Sequence, residues 1–457
     1  MVSATELLQH YRRRTVSPVE VTQAALDRIE ARNGAVNAFR MTDPDRALRD
    51  ARESEARWSR GAPSGLLDGV PATIKDQWLA QGWTALKGSR TITDAVAAAE
   101  DSPAVARMRE HGAVFLGKTT LCEFGWKGVC DSPLTGISRN PWNPDLTCGG
   151  SSGGAAIAAA LGMGALHIGS DGAGSVRIPA AFCGVYGFKA TFGRVPTYPT
   201  GRMQGISHVG PLVRTVSDAA LMLNVISEPD WRDWQALPHD PRDYRLGLND
   251  GVRGWRVAYS RTLGYTRPDP EVVEKVDAAV GVLQDLGATV EECDPGFADP
   301  RPAFEVLWGA NLAGVLASIP PELHTEMDPG YVAAARAGSR YTAEDVLVSG
   351  MARAALTRHM NEFNRRYDLL ITPALAVTEV PAGVDVPPGR GMSSWFDWSP
   401  FLFPFNFTQA PAASVPCGFT ATGIPVGMQI VGARYAEHRV LRASRAYEAV
   451  HPFRMPA

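Results

Sequence analysis

The sequence predicts a single large α/β domain spanning residues 1–457, with a mixed twisted sheet covered by helices on both faces. Three observations lead there. Apolar segments of strand length alternate with amphipathic segments of helix length along much of the chain. Glycine turns separate them, as in "REHGAVFLGK" at 109–118. No polar or low-complexity linker divides the chain, although 457 residues could hold two or three average domains.

Ser17, Pro18 and Glu20 form a capping-box start for a helix whose apolar face runs through Val21, Ala24, Ala25 and Ile29, with Gly34 expected to stop it. Residues 68–76, "DGVPATIKD", read as a short apolar strand with Lys75 at its end. Residues 102–125 follow as helix, glycine turn and strand. "GGAAIAAALG" (153–162) predicts a helix of small side chains, able to approach its neighbours closely, and "ALHIGSD" (165–171) a strand entering a second glycine turn. A helix is expected over 216–227, loop over 227–255, then strand 255–261 and a helix from Asp269. Residues 376–400 read as a long surface loop, of the kind that serves as a lid or binding loop, and 413–432 as a hairpin with a glycine turn.

With 45% hydrophobic and 20% charged residues and a formal charge of −3, nothing calls for nucleic acid or an anionic membrane as partner. The N-terminus has no apolar core of signal-peptide type, and no run of about 18 apolar residues occurs, so a soluble cytoplasmic protein is expected. Six cysteines at 122, 130, 148, 183, 293 and 417 fit neither a metal pair nor a compact disulfide framework. Nine histidines are scattered singly, so no metal and no cofactor is expected.

Residues 147–175, "TCGGSSGGAAIAAALGMGALHIGSDGAGS", carry Ser151, Ser152, Ser170 and Ser175 in a glycine-rich run. A phosphate loop would need a lysine after the glycines, and none follows until Lys189. The dinucleotide fingerprint GxGxxG is not met. A serine-based site remains, and a serine hydroxyl needs a base within hydrogen-bond reach. His167 and His208 are the nearest histidines, each more simply a satisfied side chain. Lysine can replace histidine. Only six lysines occur, at 75, 87, 118, 127, 189 and 275, and Lys75 follows the apolar "VPATI", where burial would lower its pKa.

The block from Gly149 to Thr191, together with "GVPATIKD", "EFGWKGVCDSPLTGISRNPWNP", "YDLLITPA" and "PFNFTQAPAASVPCGFTATGIPVGMQIVG", resembles the amidase signature family of serine hydrolases over roughly residues 1–450. The resemblance implies that family's fold, with 60–215 as the catalytic core segment. It implies Lys75 as catalytic lysine, Ser151 as bridging serine after a cis Gly150–Ser151 peptide, and Ser175 as nucleophile. Backbone N–H groups of Gly172, Ala173, Gly174 and Ser175 would form the oxyanion hole. Ala173 departs from the family pattern, since many members carry glycine there. Ser152 is expected to cap the helix beginning at Gly153, Ser170 to support the turn, and Asp171 with Arg177 to form a structural ion pair.

The implied reaction is hydrolysis of a small-molecule carboxylic amide to an acid and ammonia or an amine through acyl-Ser175, with esters, carbamates or hydrazides as side substrates. Gly125 and Trp126 are expected in the substrate-side loop, and Trp395, Phe396 and Trp398 in a pocket wall that favours apolar or aromatic groups; Phe401 and Phe403 read as readily as core. The alternative is the glutaminase subunit of an amidotransferase, which would need a partner and a cation for the glutamine carboxylate. A binding protein that has lost its activity fits poorly with Lys75, Ser151 and Ser175 all present. A homodimer is left open.

Overall fold

The computed structural model describes residues 2–201, 203 and 205–456. Eleven strands form one mixed sheet in the spatial order Phe39–Thr42, Val114–Thr119, Pro71–Lys75, Leu166–Asp171, His208–Val213, Tyr186–Lys189, Ala412–Phe419, Pro425–Gly432, Leu369–Pro373, Arg256–Tyr259 and Thr289–Glu292. Pro71–Lys75 runs parallel to both of its neighbours, and every residue of these three strands is buried. Strands covered on both faces read as continuous apolar runs, which is how these segments look in the sequence.

Successive side chains divide between the two faces. Val114 and Leu116 join the cluster around the helix Gly153–Ala160, while Phe115 joins the larger cluster on the opposite face with Ile74, Ile168 and Val440. The small side chains of Gly153–Ala160 matter for spacing. A Cβ on Gly154 would come 2.3 Å from the Ala38 carbonyl oxygen, so this helix end sits directly on the strand edge.

The register positions the site. Ile74 pairs with Ile168, so the parallel strands carrying Lys75 and Asp171 end at the same edge of the sheet. The carboxyl ends of parallel strands are where α/β proteins place their ligands.

Three local expectations are corrected. The helix from Pro18 runs past Gly34 to Val36, where Asn37 takes the left-handed cap (φ 52°). Ala24 is exposed. Residues 376–400 are largely irregular but no free surface loop: Ala376, Val377, Val380, Trp395, Phe396 and Trp398 are buried. Ion pairs fix the segment as well, Asp385 to Lys127, Arg390 to Asp269 and Asp397 to Arg301. Irregular backbone still buries side chains when its polar groups find partners, and periodicity does not report that.

Candidate active site

Lys75 ends its strand fully buried, and its Nζ faces three hydroxyls: Ser151 Oγ at 2.7 Å, Ser152 Oγ at 2.9 Å and Ser170 Oγ at 2.8 Å. Burial pushes its pKa down to about 8, against a weaker upward pull from the thiols of Cys122 and Cys130 and from Asp171. The ladder past Ile74 brings in Ser170, the Gly150–Ser151 peptide is cis, and Gly125, in the left-handed region at φ 73°, lies against Ser151 Oγ.

The hydroxyl protons are not equivalent. Ser170 Oγ donates to Gln77 Oε1 at 2.8 Å, and Ser152 Oγ donates to the Ser170 carbonyl at 3.1 Å. A hydroxyl has one hydrogen, so both can only accept from Lys75. Among the described residues, the Ser151 proton alone of the three has no competing acceptor. A neutral Lys75 therefore spends its two N–H groups on Ser152 and Ser170 and turns its lone pair to Ser151. Two expectations change accordingly: Ser152 occupies the N-cap position of Gly153–Ala160 but makes no cap hydrogen bond, and Ser170 bonds the lysine and Gln77. Gln77, two residues past Lys75, was not singled out by sequence.

Beyond Asp171 the chain turns through Gly172, Ala173, Gly174 and Ser175. Arg177 grips Asp171 with two hydrogen bonds of 2.9 Å, and Asn406 Nδ2 adds one of 2.8 Å. Burial alone would raise the Asp171 carboxyl, but the Arg177 guanidinium holds it well below the usual carboxylate range. Arg177 is satisfied in turn by Gln429 Oε1 at 2.6 Å and the Leu402 carbonyl at 3.1 Å, so the pair is a fully bonded buried unit. Asp171 also accepts from the Gly174 N–H at 2.7 Å and the Val176 N–H at 3.2 Å.

That bond removes Gly174 from the expected oxyanion donors. Among the described residues, the N–H groups of Gly172, Ala173 and Ser175 remain without a partner. Gly174 instead supplies the left-handed conformation (φ 121°), and Ala173 has no positive φ, so its methyl is accommodated. Ser175 is 5% exposed, and its carbonyl accepts from the Ser152 N–H at 3.2 Å, joining the two serine clusters.

A cavity of about 690 Å³ opens beside the site, with Gln77, Phe124, Met203, Leu312, Val315 and Tyr331 among its lining residues. The expected aromatic wall is elsewhere. Trp126 packs edge-on against Tyr331 from behind and donates to Asp328. Trp395, Phe396 and Trp398 lie in a buried aromatic cluster with Phe304 and Trp308, and Trp395 and Trp398 close over Gly128. None of these four lines the cavity. Phe401 and Phe403 are core. Phe124, one residue before Gly125, lines the cavity with Trp78, Phe192 and Tyr331, and its position within "EFGW" offered no sign of which ring would turn inward.

The amidase family model matches residues 20–441. An acylamidase of Rhodococcus erythropolis is 36% identical over 99% of this chain and 96% of its own. A glutamyl-tRNA(Gln) amidotransferase subunit from Moorella thermoacetica is 32% identical over 98% of this chain and 96% of its own. The crystal structure of a bacterial aryl acylamidase of the amidase signature enzymes superposes with a TM-score of 0.92 at 31% identity, over 99% of this chain and 96% of that one. The chain belongs to the amidase signature family and is an amide-hydrolysing enzyme. Among the described residues, no helix is long and apolar enough to cross a membrane.

Proposed function

We propose that the protein is a stand-alone amidase for apolar or aromatic amides, with Ser175 as nucleophile, Ser151 as proton bridge and Lys75 as base. The observation that carries this reading is the proton inventory around Lys75, which leaves Ser151 as the single hydroxyl able to give the amine a proton. Ser175 Oγ attacks the amide carbon; its proton passes to Ser151 as the Ser151 proton passes to Lys75. The new C–O bond leaves a tetrahedral oxyanion facing the free N–H groups of Gly172, Ala173 and Ser175, and removing one such donor from a formed hole costs about 3–4 kcal/mol. Collapse breaks the C–N bond, and the nitrogen leaves with the proton returned through Ser151. Water then repeats the sequence on acyl-Ser175.

The cavity lining mixes polar and apolar side chains, and its apolar part, with Phe124, Met203, Leu312, Val315 and Tyr331, supports an apolar or aromatic substrate; the acylamidase relatives agree with that direction. Benzamide, an aliphatic amide, acetanilide and glutamine, offered to the purified chain and to Ser175→Ala, test the reading. Turnover of the apolar members that is lost in the variant is expected. Turnover of glutamine alone would move the assignment to a component of an amidotransferase.

A further inference from the structure

Six lysines occur in the chain, and five have partners. Lys75 faces its hydroxyls, Lys118 lies 3.7 Å from Asp76, and Lys127 sits among three carboxylates. Lys189 donates to the Ala410 carbonyl, and Lys275 pairs with Glu274 at 2.8 Å. Lys87 is the exception: among the described residues its ammonium has neither hydrogen bond nor ion pair.

Its placement is specific. Lys87 lines the cavity together with Gln77 and Phe124. The Lys87 N–H donates to the Asp76 carbonyl at 3.2 Å, and its carbonyl accepts from the Phe124 N–H at 2.8 Å. Asp76 directly follows Lys75, and Phe124 directly precedes Gly125, so the main chain of Lys87 is tied to both walls of the site. Its φ is 52°, a left-handed conformation that a long side chain adopts only where the surroundings impose it. Two carboxylates share the cavity without pairing with it: Asp233 accepts from the N–H groups of Thr197 and Gln235, each at 2.8 Å, and Asp94 is exposed. Lys87 is exposed on the cavity wall, so its ammonium is met by solvent until a ligand reaches it.

We propose that Lys87 is a specificity-determining residue that pairs with a carboxylate on the substrate, so that the enzyme favours apolar amides carrying one negative charge away from the scissile carbonyl. Among the described residues that line the cavity Lys87 is the one cation, and one ammonium balances one charge, which suits a carboxylate better than a phosphate dianion. This rests on the reading of the cavity as the amide site.

The test compares near-isosteric pairs with the charge on either side of the amide: 4-acetamidobenzoate against 4-isopropylacetanilide, and succinanilate against 4-methylpentananilide. In Lys87→Met, the ratio of kcat/KM for the anionic over the neutral member of the preferred pair is expected to fall about 10- to 100-fold, the worth of one charge-assisted hydrogen bond. Lys87→Arg should restore the ratio and Lys87→Glu invert it. Calorimetric Kd values of both anionic amides for Ser175→Ala, with and without Lys87→Met, read the contact without turnover. A ratio and a Kd that stay within about twofold in Lys87→Met would overturn the assignment, as would no binding of either anionic amide. Binding that weakens in Lys87→Met while wild type hydrolyses none of the four compounds would support Lys87 and overturn the amidase reading instead.

Discussion

Lys75 and Lys127 are both buried lysines, yet their surroundings direct them to opposite ends. Lys127 is ringed by Asp131 at 2.6 Å, Asp328 at 2.9 Å and Asp385 at 2.9 Å. Burial alone would lower its pKa, but the three carboxylates more than offset that and hold it above the ordinary range. It is a permanent cation, clamping the segment after Gly125 to residue 328 and to the irregular stretch at 385. Lys75 is ringed by three neutral hydroxyls, so burial goes largely uncompensated and its pKa falls to about 8. The same residue type becomes a tie in one shell and a base in the other, because only a carboxylate repays the cost of burying the charge.

That contrast can be broken at several points. Removing the nucleophile in Ser175→Ala should lower kcat/KM on the order of 10⁶-fold, while Lys75→Met and Ser151→Ala should each cost about 10²- to 10⁴-fold, read from initial rates on acetanilide. Ser170→Asp makes the shell of Lys75 resemble that of Lys127. A carboxylate beside the amine raises its pKa, the neutral fraction at pH 7 shrinks, and kcat/KM there should drop about tenfold for each unit by which the pH profile moves up. Lys127→Met strands its carboxylates and should lower stability by about 3 kcal/mol in chemical denaturation, with the pH profile of the surviving activity unmoved. Asp385→Asn should be the mildest, within about 1 kcal/mol, since its side chain is 37% exposed.

The alternation of apolar segments and glycine turns was enough to foresee a single sheet-based domain, and the serine-rich glycine run marked where chemistry would lie. What stayed hidden was direction. Whether Ser152 capped a helix or bonded an amine depended on a lysine 77 positions earlier in the chain, placed by strand register. Gly174 looked like one more oxyanion donor, and only the Asp171 side chain shows its N–H to be taken. Trp395, Phe396 and Trp398 could have been wall or core, since an aromatic ring in an irregular segment has the same composition in either place. Packing over Gly128 and around Phe304 decided it. Lys87 appeared in the sequence only as one of six lysines, because lacking a partner is a property of space.

A neutral Lys75 acting as the base has a kinetic signature. The most direct test is the pH dependence of kcat/KM for acetanilide between pH 6 and 10 in wild type and in Lys75→Met. If the amine must be deprotonated, the wild-type value climbs with pH and levels off above about 8, and the residual activity of Lys75→Met lacks that limb. A wild-type profile flat across the range, or a limb near 8 that survives in Lys75→Met, would contradict it.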